Sequence, residues 1–96
     1  MTFKEQTSAL LCDAKLILGE LEQVALIWER RYNYENSRLQ ELKNLDAFFS
    51  TAETKKAVRK AERRKEMYGR ICLKVYDKID AYRYMVSTIQ RTYDAI

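Results

Sequence analysis

The sequence predicts an all-α protein: a long, coiled-coil-like antiparallel helical hairpin. Three observations predict it. The second half holds a heptad frame without a slip, the residues that interrupt helices are nearly absent, and a helix-capping signal falls at the midpoint. The chain of 96 residues has no Pro and only two Gly, Gly19 and Gly69. Tight turns and strands therefore have few of the residues that favour them.

The first arm is expected over about residues 3–49. Its stripe runs Leu10, Ala14, Ile17, Leu21, Val24 and Trp28, stepping by four and three. A neighbouring stripe, Leu11, Leu18, Ala25, Tyr32 and Leu39, repeats every seven residues and makes the apolar face wider than one partner helix covers. Continuing the first frame meets charge at Arg31, Glu35 and Arg38 before Leu42, Leu45 and Phe49 restore it. Two expectations follow: a helix running through a polar patch, or a break near residues 33–37.

The turn is expected near residue 50, where Ser50-Thr51-Ala52-Glu53 has the form of a capping box after Phe48 and Phe49. In such a box the Ser50 hydroxyl accepts from the Glu53 backbone N–H and the Glu53 carboxylate reaches back to that of Ser50. The second arm, about 51–96, carries the clean frame: Val58, Ala61, Lys65, Tyr68, Cys72, Val75, Ile79, Tyr82, Val86, Ile89, Tyr93 and Ile96. Only Lys65 in it is charged, and the alternating steps keep one stripe turned toward one partner helix. Each arm would be roughly 65 to 70 Å long at 1.5 Å per residue. In an antiparallel hairpin turning near residue 50, numbers summing to about 100 lie level. Glu35 then falls near Lys65, and Trp28 near Cys72.

A single domain, 1–96, is the expectation for this length, and a hairpin this small is marginal alone. Dimerisation into a four-helix bundle is the expected remedy, with the stripe Leu11, Leu18, Ala25, Tyr32 and Leu39 facing a second copy. No run of 18 apolar residues exists, so no membrane span and no membrane partner are expected. The N-terminus lacks the pattern of a secretory signal, and two cysteines far apart in level suit a reducing compartment. Cytoplasmic residence is the expectation. Cys72 lies on the seam and Cys12 on the outer side of the first stripe.

Chemistry is poorly provided for. The chain has no His, which removes the usual general base and the commonest metal ligand. It has no Gly-rich phosphate loop and no nucleophile elbow. No cofactor, metal, small-molecule substrate or enzymatic activity is expected.

The strongest local signal is basic. Residues 55–65 hold seven cations against the single acid Glu62, while the whole chain carries only +4. Lys55, Lys56, Arg59, Lys60, Arg63 and Arg70 fall within an arc of about 140° roughly opposite the seam, with Arg64 beside it. Such a face either keeps the hairpin solvated or follows an acidic protein or a phosphate backbone. Seven tyrosines add contact candidates, of which Tyr34 and Tyr84 are read as exposed anchors.

A basic region leading into a heptad seam resembles bZIP proteins, without their leucine repeat or Asn-containing basic motif. Tyr76-Asp77-Lys78-Ile79-Asp80 is similar to the Tyr-x-x-x-Asp/Glu element of small secreted helical hairpins, whose Trp-x-Gly turn is missing here. Neither family is adopted. The leading expectation is a protein-protein interaction module, scaffold or inhibitor docking on a larger acidic partner, the type of small regulator that phages and mobile elements use. The alternative is a nucleic-acid-binding protein gripping phosphates without reading bases.

Overall fold

A computed structural model describes residues 1–96 as two helices and a short turn. Helix α1 is Phe3–Phe48 and helix α2 is Ala52–Ala95, packed as a hairpin. No strand forms and no residue has positive φ. Neither helix is long and apolar enough to cross a membrane.

Helix α1 begins with Thr2, whose Oγ1 accepts from the Glu5 backbone N–H at 3.2 Å. It runs through residues 33–37 without a break. Asn33, Asn36 and Ser37 are exposed, where their modest helix cost is a few tenths of a kcal/mol each. Glu35 and Leu39 in the same turns are buried and hold the backbone against α2.

At the turn the capping box lies one residue later than Ser50 and Glu53 suggest. Thr51 and Thr54 cap reciprocally: the Thr54 N–H donates to Thr51 Oγ1 at 3.1 Å, and the Thr51 N–H donates to Thr54 Oγ1 at 2.9 Å. The Thr54 hydroxyl donates in turn to Asp46 Oδ1 at 2.7 Å, tying the last turn of α1 to the first of α2. Glu53 is exposed and has no such partner across the turn, which is why the later box wins.

The α2 seam follows its frame closely. Every member from Val58 to Tyr93 is buried or half-buried, and Ala61, Cys72 and Ile79 are the most deeply covered. The α1 seam is a correction. It runs Thr7, Leu11, Ala14, Leu18, Leu21, Ala25, Trp28, Tyr32, Glu35, Leu39, Leu42 and Asp46, all buried or half-buried. The stripe Leu11, Leu18, Ala25, Tyr32 and Leu39 thus packs within the chain instead of awaiting a second copy. Half of the first stripe, Leu10, Ile17 and Val24, is left exposed. The reason is width: three adjacent heptad rows are apolar, and a single partner helix covers two.

Two compact units divide the hairpin, one of Met1–Ala25 with Lys74–Ile96, the other Leu26–Leu73. In the first, Thr7, Leu11, Ala14 and Ala25 of α1 are buried, with Ile79 from α2. The Thr7 hydroxyl is satisfied by the Phe3 carbonyl at 2.8 Å. The second unit, which contains the turn, buries Leu39, Ala61, Cys72 and the carboxylate of Glu35. Register agrees with a turn near residue 50. The numbers of facing pairs sum from 96, Trp28 with Tyr68, to 101, Tyr32 with Gly69.

Candidate partner-docking surface

The turn unit gathers cations from both helices into one groove. Arg38 and Leu42 of α1 and Ala57, Lys60, Ala61 and Arg64 of α2 line it, with Glu35 beneath. Its volume is about 190 Å³. That is smaller than the ~300–1,000 Å³ of ordinary small-molecule pockets. Beside it, Arg30, Arg31, Tyr34 and Tyr68 line a second hollow that also includes Glu35. Glu35 thus lines both hollows, with Arg38, Lys60 and Arg64 in one and Arg30 and Arg31 in the other.

Aromatic rings build the neighbouring surface. The Arg31 guanidinium lies 4.7 Å from the centre of the Trp28 ring, and Trp28 meets Tyr68 at 5.8 Å between ring centres with a 42° tilt. A cation over an indole face is held by the ring quadrupole, worth about 0.5–1 kcal/mol at exposed sites. Tyr34 is 64% exposed, so its ring stands free beside Arg30 and Arg31. Tyr84, 74% exposed, belongs to the other unit and is not part of this cluster.

The basic residues singled out by the sequence do not form one site. Lys55, Lys56, Arg59, Lys60, Arg63, Arg64 and Arg70 are all exposed. Lys60 and Arg64 join the groove with Arg38, whereas Arg70 lines a depression on the opposite flank with Lys43, Lys65, Glu62 and Glu66. There Arg70 is held by Glu66 at 2.6 Å, one turn away on α2. The opposite flank is nearly neutral, with three cations against two acids. The dimer stripe, as described, is seam.

Glu35 and Lys65 do not pair as their levels suggest. The Lys65 ammonium rests 5.9 Å from the centre of the Tyr32 ring, and Glu35 Oε2 is buried without a hydrogen-bond partner. Sequence reasoning missed Arg30, Arg31 and Arg38 as site residues. Their signal was present as the charged interruption of the first frame, but its meaning depends on which flank of α2 they adjoin.

No group of three or more His, Cys, Asp or Glu side chains is placed to hold a metal ion. No family model, curated protein or solved structure matches the chain.

Proposed function

We propose that the chain is a non-catalytic interaction module of the cytoplasm that docks on the acidic surface of a larger protein as a scaffold or inhibitor. One observation carries the reading: two adjoining hollows that share Glu35 bring Arg38, Lys60 and Arg64 from two helices beside Arg30, Arg31, Tyr68 and the exposed ring of Tyr34. Arg, Tyr and Trp are the residues that dominate binding energy at protein interfaces.

The test is affinity capture of binding proteins with the wild-type chain and with Arg31→Glu/Arg38→Glu/Arg64→Glu, identified by mass spectrometry. A single acidic protein retained by the wild type and lost by both the triple variant and Tyr34→Ala is the expected result. Retention by the triple variant refutes the groove as the docking surface.

A second reading rests on Lys55, Lys56, Arg59 and Arg63, which are exposed and enter no ion pair. These could grip nucleic acid, with affinity falling steeply as salt rises. Anisotropy of a labelled DNA duplex with Lys56→Glu/Arg59→Glu/Lys60→Glu/Arg63→Glu tests it. DNA affinity that survives this change, or that ignores salt, removes this reading.

A further inference from the structure

The unit of Met1–Ala25 and Lys74–Ile96 has an apolar groove that the hairpin itself does not cover. Leu10 is 59% exposed, Ile17 and Val24 38% each, and Met85 44%. Leu10, Ile17 and Val24 form one heptad row directly outside the α1 seam. In an antiparallel pair of right-handed helices, the flank reached by stepping back in angle from each seam is the same side. Met85 and the half-buried Ile89 lie on that flank of α2 and face the groove with the α1 row. The same sidedness is visible in the other unit, where Arg38 and Arg64 line one groove.

We infer that a second copy of this chain occupies the groove, making a four-helix dimer whose two-fold axis runs parallel to the helices. Area is the first reason. The chain exposes 7368 Å² at 11.5 kDa, against about 5,800 Å² for a compact monomer of that mass. The surplus, about 1,600 Å² per chain, is of the size that obligate homodimers bury.

Charge is the second. Beyond the apolar row, the α1 edge of this groove carries Asp13 and Glu20, and the α2 edge carries Lys74 and Lys78, all exposed. A two-fold axis along the helices sets α1 of one copy over α2 of the other with levels preserved. Glu20 then meets the partner's Lys78 and Lys74, since the hairpin register pairs numbers summing to about 97, as Lys4 does with Tyr93. The face is its own complement: an apolar strip with one acidic and one basic edge.

Sedimentation equilibrium of the full chain tests this. The expected mass is twice 11.5 kDa, shifting to one copy in Ile17→Glu/Val24→Glu. A wild-type monomer overturns the inference, and so does a dimer that this variant leaves intact. Because the double variant could unfold, exposed edges supply an independent readout. Glu20→Lys and Lys78→Glu should each weaken dimerisation about tenfold, and mixing the two should restore it through heterodimers with opposite charges at both edges. Single variants as dimeric as the wild type overturn the two-fold arrangement.

Discussion

The Lys65 ammonium lies 5.9 Å from the centre of the Tyr32 ring rather than on the carboxylate of Glu35. Both charged residues stand at seam positions, yet they turn apart. Lys65 is half-buried and its long stem lets the ammonium reach out over an aromatic face. Glu35 is shorter, only 6% exposed, and its Oε2 has no partner.

That arrangement predicts that Glu35 costs stability. An unsatisfied buried polar atom costs about 1–3 kcal/mol, and an apolar residue of similar volume removes the cost. Glu35→Leu should raise the midpoint of thermal unfolding, followed by circular dichroism, by several degrees, at about 4–8 °C per kcal/mol for a chain of this size. A lower midpoint would mean that the carboxylate is tied to Arg38, Lys60 or Arg64 and acts as a structural acid of the groove it lines.

The turn makes a prediction about neighbouring hydroxyls. Thr51 Oγ1 accepts from the Thr54 N–H at 3.1 Å, while Ser50 contributes no capping bond to α2. Thr51→Ala should therefore lose about 1 kcal/mol, the usual cost of an N-cap. Ser50→Ala should be silent, and Thr54→Val should cost more than Thr51→Ala because the bond to Asp46 is lost with the cap. Urea unfolding of the three variants decides it. Equal losses at Ser50 and Thr51 would place the box one residue earlier.

Legibility in the sequence differed between the helices for a physical reason. In α2 only two heptad rows are apolar, so periodicity leaves a single choice, and Val58 to Tyr93 all face inward. In α1 three adjacent rows are apolar, and the pair that packs includes Thr7, Glu35 and Asp46, which a pattern of hydrophobicity discounts. The capping box reads one residue too early in the sequence because the Ser50–Glu53 pattern is local, whereas Thr51 and Thr54 bond each other and Thr54 also reaches across the turn to Asp46. The α2 cations could be read directly. Their union with Arg30, Arg31 and Arg38 could not, because it depends on hairpin register and on the hand of the crossing.

The two glycines should respond differently to alanine. A Cβ at Gly19 meets nothing within 4 Å, so Gly19→Ala should gain nearly the full helix-propensity difference, about 1 kcal/mol. At Gly69 a Cβ would stand 3.3 Å from Tyr32 Cε2 and 3.7 Å from Cδ2, so the ring must shift. Gly69→Ala should gain less, with the difference read from denaturation midpoints. Equal gains would show that Tyr32 yields freely, weakening the account of Lys65 resting on that ring.

The two free cysteines should separate by reactivity. Cys12 is exposed and Cys72 buried, so a thiol reagent at neutral pH should modify Cys12 quickly and Cys72 only as the hairpin opens. Burial, and then the negative charge of Glu29, push the Cys72 thiol above its ordinary value of 9.0, with a backbone hydrogen bond opposing them. The fold holds that proton more tightly than the unfolded chain does. The stability this contributes is complete below pH 9.0 and is lost as pH rises from there through the folded value. Cys72→Ala should remove this part of the alkaline loss, so urea unfolding of the variant above pH 9.0 should fall less steeply with pH than that of the wild type. Parallel slopes would mean that Cys72 titrates alike in both states, and rapid modification of both thiols would mean that the seam at Cys72 is open in solution.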